Sequence, residues 1–420
     1  MKAWLMVVLA SCLAWGAFAQ GNARPAFDVE KATRAYLDRI PPEKKAQSDA
    51  YFEGGYWLQL WDFLYAAGIA ALLLQTRLSA RMRDLAQRRT RFKPVQSVIY
   101  AVQYVLLMSI LTLPLVVYEG YFREHQYGLS NQDFAGWLGD WAKGLFVNAI
   151  FTAILLMALF GVVRRLPRVW HLWGAAVTIA LLVVAVALGP VYIAPLFNKY
   201  TVLEDPKVVA PILSLARANG ITADKVYEVD ASKQSKRVSA NVSGFMGTMR
   251  ITLNDNLLNR STLPEVEAVM GHEMGHYVMN HVYKMILFFG VVIVIGFAGL
   301  RWALDWSLSR FGVRWGISIS GIGDLAVTPL AVLIFTTYLF LLTPVLNTFV
   351  RSQEMEADMF GLNAARQPDG FAEAALKLGE YRKMEPGPVE EWIFFDHPSG
   401  ATRIRTAMRW KAENTRTGGN

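Results

Sequence analysis

The chain has 420 residues, of which 54% are hydrophobic and 18% are charged, and its formal net charge is +8. This composition is too apolar for a disordered chain or an ordinary soluble domain. No phosphate-binding loop, internal repeat or nucleic-acid motif accompanies the positive charge. The charge therefore predicts basic loops at a membrane surface and no nucleic-acid partner. The single cysteine, Cys12, excludes a disulfide within the chain.

The first predicted element is segment 1–19. Lys2 precedes an apolar stretch that begins at Trp4, and Ala17-Phe18-Ala19 has the small residues of a signal-peptidase site. This segment is predicted to be either a secretory signal peptide or a short first membrane helix. The polar segment 20–55 follows it and is expected to lie outside the cytoplasm.

Apolar runs that are long enough to cross a bilayer define the next elements. They lie at 56–74, 98–118, 144–163, 172–188, 285–300 and 325–346. The region 56–200 is therefore predicted to be a block of membrane helices. The last two spans, at about 285–304 and 325–346, interrupt a carboxyl-terminal domain, 201–420.

The charges between the spans predict the orientation of the chain. The loop 76–95 has seven Lys or Arg residues and one acid, and the loop 164–170 has three arginines. The loop 119–143 between them has two basic and four acidic residues. Because cytoplasmic loops carry an excess of Lys and Arg, this pattern places 189–284 on the periplasmic face of a bacterial inner membrane. A site on the cytoplasmic side is the alternative.

A small mixed region follows the fourth span. Residues 205–219 are predicted to be a helix, because Asp205 can cap it, Pro206 suits its first position and Gly220 ends it. Residues 225–229 are predicted to be a strand, and 238–245 with 249–253 a hairpin around Gly247-Thr248. An exposed strand beside a catalytic site can bind an extended peptide. An ordinary internal strand is the alternative.

The run from Gly271 to His276 contains the pattern His-Glu-x-x-His. His272 and His276 are four residues apart, so that on a helix both imidazoles reach one ion from the same face. Glu273 can hold a water molecule beside that ion and accept its proton. The pattern therefore predicts a zinc-dependent hydrolase.

The residues around this pattern predict that it lies on a helix. Thr262-Leu263-Pro264-Glu265 provides an N-cap, a proline in the first turn and a glutamate that can complete a capping box. His281 follows His276 by five positions and lies off the metal-binding face. We therefore expect His281 to be a structural residue or a partner of a ligand.

A catalytic zinc needs a third protein ligand, and a polar stripe about 80 residues later provides a candidate. Asn347, Arg351, Glu354 and Asp358 fall on one face of a predicted helix. Glu354 is expected to bind the metal, Asp358 to accept a hydrogen bond from a ligating imidazole, and Arg351 to orient or neutralise a carboxylate. Glu356 lies on another face and is the weaker candidate. A solvated helix face with this spacing by chance is the alternative.

The chain has several membrane spans, the motif His-Glu-x-x-His and, later, the motif Arg-x-x-Glu-x-x-x-Asp. In this combination it resembles the M48 metallopeptidases, and most closely those of the CaaX prenyl protease type. Tyr192 to Tyr200 and His397-Pro398 also match this family, and the resemblance covers roughly 50–410. It implies that the glutamate of the first motif, Glu273, is the catalytic base. It also implies that His397 lines the site and helps to hold the substrate or the tetrahedral intermediate.

The resemblance further implies which residues bind one Zn²⁺ ion per chain, namely His272, His276 and Glu354. The substrate strand of the family has Asn-Ala where this chain has Asn241-Val242, and Val350 replaces a serine that many members have before the arginine. Neither departure touches the metal, so both bear on substrate preference alone.

Together these observations predict a mostly α-helical, multi-pass membrane bundle with a small α+β zinc-metallopeptidase domain of the gluzincin type. The expected activity is endoproteolysis of peptides or proteins at the lipid bilayer, either of prenylated CaaX peptides or in quality control of membrane and envelope proteins. The sequence predicts no oligomeric state.

Two other functions are compatible with parts of the sequence. An intramembrane protease of the site-2 type would place His-Glu-x-x-His within a span, but Glu265, Glu267, Asn280 and Lys284 surround the motif here. A transporter or scaffold with an incidental motif would require the Glu354 stripe to be accidental as well.

Overall fold

The computed structural model describes residues 27–243, 249–317 and 321–414. The predicted segment 1–19 and the predicted turn at Gly247-Thr248 lie outside these residues. Helices dominate the described part, and four short strands form one sheet. The predicted class, a helical membrane bundle with a small α+β domain, is confirmed.

Fourteen α-helices of six residues or more and the four strands make up most of the described residues. In chain order they are α1 (Val29–Leu37), α2 (Pro42–Gln75), α3 (Leu78–Arg89), α4 (Lys93–Val117), α5 (Phe134–Arg165), α6 (Trp170–Leu188), β1 (Tyr200–Val202), α7 (Pro206–Ala218), β2 (Val226–Val229), β3 (Ala240–Ser243), β4 (Arg250–Asn254), α8 (Asp255–Arg260), α9 (Leu263–Val278), α10 (His281–Phe311), α11 (Thr328–Ala365), α12 (Pro368–Leu378), α13 (Pro388–Phe394) and α14 (Gly400–Asn414). A π-helical segment, Tyr118–Arg123, extends α4, and another, Gly189–Ile193, extends α6.

Six helical segments in the described part are long and apolar enough to cross a membrane. They are Pro42–Gln75, Lys93–Gln126, Phe134–Arg165, Trp170–Leu196, His281–Phe311 and Leu325–Ala365. Each of them contains one of the six predicted apolar runs. In space α2, α4, α5, α6, α10 and α11 pack in that order, and α11 packs back against α2. The bundle is therefore a closed ring of helices.

Two of these helices extend well beyond their apolar runs. Helix α2 begins at Pro42, inside the predicted polar segment, and its first turns contact the carboxyl-terminal domain through a 3.0 Å hydrogen bond from Ser48 Oγ to the Arg382 carbonyl. Helix α11 continues from the apolar run to Ala365 and carries Glu354 in its polar part. The polar ends of spanning helices therefore connect the bundle to the predicted site.

The sheet has the strand order β1-β2-β4-β3. Strand β4 pairs in parallel with β2 and antiparallel with β3, where Asn241 lies opposite Thr252. The predicted strand pair is confirmed, and β3 is an edge strand of the described sheet. Ile251 and Leu253 of β4 are fully buried and pack with Met270 of α9, so that one face of α9 is fixed against the sheet.

The predicted caps of α7 and α9 are present. Asp205 accepts a hydrogen bond from the Lys207 N–H, and Thr262 forms a capping box with Glu265. Helix α11 ends at Ala365 and α12 begins at Pro368. Arg366 has a left-handed φ of 54° there, and a proline cannot continue the hydrogen-bond ladder of the preceding helix.

Candidate active site

Glycines bring the helices that carry the site unusually close together. A Cβ atom on Gly271 of α9 would lie 3.0 Å from the Gly361 carbonyl oxygen, and one on Gly361 of α11 would lie 2.7 Å from the backbone nitrogen of His272. One on Gly275 would lie 3.1 Å from the Cα of Ala357. Larger residues would separate the backbones of α9 and α11, so these glycines allow side chains of both helices to meet.

Three of the predicted metal ligands meet in this contact. Nε2 of His272 lies 3.1 Å from Nε2 of His276 and 3.3 Å from Oε2 of Glu354. Nε2 of His276 lies 3.5 Å from Oε1 of Glu354. About 3.3 Å separates two ligand atoms that are bound tetrahedrally to one zinc ion at about 2.0–2.1 Å. The spacing of the three side chains therefore fits one ion.

The hydrogen-bond partners of His272 fix how this imidazole faces the cluster. Its Nδ1 lies 2.8 Å from Oδ1 of Asp358, a buried carboxylate that can only accept, so Nδ1 carries the hydrogen and Nε2 presents a lone pair. Arg403 donates to both oxygens of Asp358, at 2.9 and 2.5 Å. Asp358 thus occupies the position that the sequence predicts, and Arg403 holds it there.

A second chain of hydrogen bonds orients His276. Nε2 of His281 lies 3.2 Å from the Glu356 carboxylate and must donate to it, which leaves Nδ1 of His281 as an acceptor. Nδ1 of His276 lies 2.9 Å from that atom and donates to it, so Nε2 of His276 also presents a lone pair to the cluster. His281 is therefore a partner of His276, and Glu356 lies one residue further from the cluster.

The cluster of His272, His276 and Glu354 has the electron-pair donors of a cation-binding site. Two imidazole lone pairs and the oxygens of Glu354 converge, and Oε2 of Glu354 is buried without a hydrogen-bond partner in the described structure. Burial disfavours a charge on His272, but the interactions with Asp358 and Glu354 together outweigh it and raise the pKa of His272 to about 9. Burial and the charge of His272 lower the pKa of His276 to about 4. A divalent ion satisfies all three groups at once, whereas a single proton cannot.

Glu273 and His397 lie beside the cluster, in one cavity of about 240 Å³. We call it the basic cavity, and Ala240, His272, Glu273, Lys377, Arg382 and His397 are among its lining residues. Burial, reinforced by the charge of Glu354, raises the pKa of Glu273 to about 7, which makes this carboxylate a stronger proton acceptor than an exposed one. Nε2 of His397 lies 3.2 Å from Oε2 of Glu354, and Nδ1 lies 2.8 Å from Asp396.

Asn347 and Arg351 do not contact the cluster. The expectation that Arg351 orients a carboxylate is wrong, because its guanidinium donates to the carbonyls of Glu391 and Phe395, at 2.8 and 2.6 Å. Asn347 donates to the carbonyl of Ile393 at 2.7 Å. These carbonyls belong to the end of α13 and the residue after it, just before His397, so the polar stripe of α11 positions the His397 segment as well as the metal ligands.

The strand that carries Asn241 and Val242 passes along the site. Val242 and Ser243 line a second cavity of about 530 Å³, which we call the membrane-side cavity because α6 and α10 form much of its wall. Its lining also includes Val186, Arg250, His276, Val282 and Ile286. The edge strand β3 therefore connects two cavities, with the metal-ligand cluster between them.

Two residues of this site, Arg403 and Asp396, were not predicted from the sequence. The pattern around Arg403 indicates only a terminal helix, and nothing in it distinguishes this arginine from the exposed Arg405. Asp396 lies in no motif of its own. It precedes His397 directly, so the His-Pro match could have indicated it.

The comparison with known proteins gives the same family over nearly all of the described chain. Residues 203–411 match the model of peptidase family M48, and residues 28–199 match the model described as CAAX prenyl protease N-terminal, five membrane helices. The chain is 29% identical over 359 residues to the uncharacterized metalloprotease YhfN of Bacillus subtilis, and the match covers 83% of each protein.

A second relative and a solved structure agree with this assignment. The chain is 28% identical over 347 residues to CAAX prenyl protease 1 of Saccharomyces cerevisiae, with 77% of this chain and 75% of that protein covered. The crystal structure of S. mikatae Ste24p has the same fold, with a TM-score of 0.73, 21% identity and coverage of 90% of this chain and 94% of that one.

These matches support the predicted metallopeptidase over both alternatives. Helix α9, which carries His-Glu-x-x-His, is none of the six candidate membrane helices in the described residues, unlike the motif of a site-2 protease. The cluster of His272, His276 and Glu354 also does not fit an incidental motif. The chain belongs to peptidase family M48 and is a multi-pass membrane metalloprotease homologous to the CAAX prenyl proteases.

Proposed function

We propose that the chain is a zinc metalloendopeptidase in which His272, His276 and Glu354 hold one Zn²⁺ and Glu273 is the general base. The observation that carries this proposal is the convergence of three sets of lone pairs within 3.1–3.5 Å of one another. Oε2 of Glu354 supports it, because this buried oxygen accepts no hydrogen bond in the described structure although two imidazole Nε2 atoms lie 3.2 and 3.3 Å away. A buried carboxylate oxygen is normally hydrogen bonded or bound to a metal.

The proposed mechanism assigns a task to each side chain around the ion. Zinc, when bound, polarises the peptide carbonyl and makes a water molecule acidic near neutral pH. Glu273 accepts the proton of that water and returns it to the amine that leaves. His397 lies on the same side as Glu273, and its Nδ1–H is directed at Asp396. In its imidazolium form it also donates a hydrogen bond from Nε2 to the oxygen on which negative charge develops. Asp358 and His281 keep Nε2 of the two ligating imidazoles turned towards the ion.

The substrate is proposed to bind as an extended peptide on β3, through Asn241 and Val242. A free strand edge offers N–H and C=O groups that pair with another chain. The membrane-side cavity next to Val242 is walled by apolar residues of two membrane helices, so it can take an apolar group that is attached to the peptide. Because relatives are named CAAX prenyl proteases, we propose that lipid-modified peptide ends are among the substrates.

We propose that the chain lies in a bacterial inner membrane with the site on the periplasmic side. Helix α2 contacts the peptidase domain at Ser48 and reaches the basic helix α3 about 27 residues later, or roughly 40 Å along its axis. That distance exceeds the hydrocarbon thickness of a bilayer, about 30 Å. The arginines of α3 would then lie on the cytoplasmic face, in agreement with the loop charges. At this location, cleavage of misfolded envelope proteins is a second role.

The central test is purified protein in detergent, assayed for bound zinc and for cleavage of a prenylated and an unprenylated peptide. One zinc per chain is expected, with faster cleavage of the prenylated peptide. Glu273→Gln should keep the zinc and lose cleavage, since the ligands survive and the base does not. Zinc-loaded wild type without cleavage of any peptide, or Glu273→Gln with more than a few per cent of activity, contradicts the assignment.

A further inference from the structure

The basic cavity contains one cation that forms no ion pair among the described residues. Lys377 lies 2.8 Å from Glu265, and Arg403 forms hydrogen bonds to Asp358. The guanidinium of Arg382 has no hydrogen bond or ion pair among the described residues, and Glu273 on the same wall does not contact it. Residues outside the described ranges include no Asp or Glu. Arg382 thus lines the cavity without a hydrogen bond or ion pair to a carboxylate of the described residues.

The backbone around Arg382 is fixed although its side chain has no partner. Its N–H donates to the carbonyl of Leu378 at 2.9 Å, and its carbonyl accepts the 3.0 Å hydrogen bond from Ser48 of α2. The charge of Arg382 acts on Asp396, but that carboxylate is hydrogen bonded to His397. A part-buried guanidinium that extends from a fixed backbone and forms no ion pair beside a catalytic site is suited to binding an anionic group of a ligand.

Strand β3 relates this cation to the direction of a bound peptide. Ala240 at the beginning of β3 lines the basic cavity, and Ser243 at its end lines the membrane-side cavity, about 10 Å further along an extended chain. Antiparallel pairing is the more stable and more frequent arrangement of two strands. A peptide that pairs in this way runs with its amino end at Ser243 and its carboxyl end at Ala240.

We propose that Arg382 binds the terminal carboxylate of the substrate, so that the enzyme selects peptides that end within the basic cavity, shortly after the bond that is cut. This inference rests on the proposed function, because it needs a peptide on β3. Arg250 offers an internal comparison. It also has no ion pair in the described residues and lies between the rings of Tyr200 and Tyr227, but it lines the membrane-side cavity at the other end of β3.

The test compares kcat/KM for one peptide with a free carboxyl end and the same peptide with a terminal amide. Wild type should prefer the free acid by about 10- to 100-fold, mainly through KM, because a hydrogen bond to a charged group is lost in the amide. Arg382→Gln should bind zinc and cleave both peptides with the same efficiency, and Arg382→Lys should restore part of the preference. Arg250→Gln should keep the wild-type preference for the free acid.

Several results would overturn this proposal. One is a wild type that does not distinguish the two peptides, and another is an Arg382→Gln variant that still does. Loss of the preference in Arg250→Gln alone would show that the peptide runs in the opposite direction. Another is an amidated peptide that ends in Glu and is cleaved with the same efficiency as the free acid. That result would show that Arg382 needs only a carboxylate near the end of the peptide and not the terminal one. If zinc-loaded wild type cleaves neither peptide, the proposed function fails and this inference fails with it.

Discussion

The Asp358 carboxylate lies 2.8 Å from Nδ1 of His272 across the contact between α11 and α9. The same helix α11 carries Glu354 one turn earlier, so that one helix provides both a proposed ligand and the group that orients another ligand. Since the two helices pack through Gly271 and Gly361, the geometry of the cluster depends on how closely two backbones approach.

Glu354 and Glu356 are a matched pair for testing the third ligand. Glu354 lies 3.3 Å from Nε2 of His272, whereas Glu356 is half-exposed and contacts His281 and Lys284. Glu354→Ala should therefore lose bound zinc and peptide cleavage together, and Glu356→Ala should keep a stoichiometric ion. Metal analysis of the purified variants decides between them. A zinc-free Glu356→Ala protein alongside a zinc-loaded Glu354→Ala protein would refute the assignment.

Asp358→Ala should weaken zinc binding by about 10- to 100-fold without abolishing it, because the imidazole of His272 keeps its place but loses its orienting partner. A competition titration with a zinc chelator measures this change. Affinity equal to that of wild type would mean that the hydrogen bond between His272 and Asp358 does not contribute to metal binding.

Arg403→Met should reduce stability strongly. The side chains of Arg403 and Asp358 are both buried, and removing one partner of a buried ion pair typically costs about 3–5 kcal/mol because the other charge is left uncompensated. Arg405→Met is the matched control, because Arg405 pairs with the exposed Glu30 and such surface pairs contribute about 0–1 kcal/mol. Thermal unfolding in detergent should show a much larger decrease in Tm for Arg403→Met, and equal decreases would contradict this prediction.

Asn347→Ala and Arg351→Met should keep the bound zinc but lower kcat/KM by about 10- to 100-fold. Both side chains hold carbonyls just before His397, and a displacement of about 1 Å near a reacting group can cost that much. Ser352→Ala is the control, because among the described residues its hydroxyl bonds only to the Phe349 carbonyl of its own helix. Loss of zinc in Asn347→Ala or Arg351→Met would place these residues in metal binding instead.

Reporter fusions test the orientation in the membrane. A reporter that is active only in the periplasm should be active when fused after residue 205 and silent when fused within 76–95. The loop charges predict this result, because seven basic residues lie in 76–95. The reverse pattern would place the peptidase domain in the cytoplasm.

Local patterns in the sequence were sufficient for much of the protein. The six apolar runs predicted the candidate membrane helices, since crossing a bilayer requires about 20 apolar residues whatever their neighbours are. The capping residues predicted where α7 and α9 begin. Helical spacing put His272 and His276 on one face and singled out Glu354 rather than Glu356. The direction in which a side chain leaves a helix depends only on its residue's position along that helix.

Only the tertiary structure decided which distant groups meet. Arg403 is 45 residues from Asp358, and the carbonyls that Arg351 binds are at least 40 residues from it, so no periodic pattern links these partners. The sequence placed Arg351 beside a carboxylate because the stripe of α11 shows only which residues share a face. Which element packs on each part of that face depends on the close approach of α11 to α9 and α13, and this packing involves contacts between segments far apart in the chain.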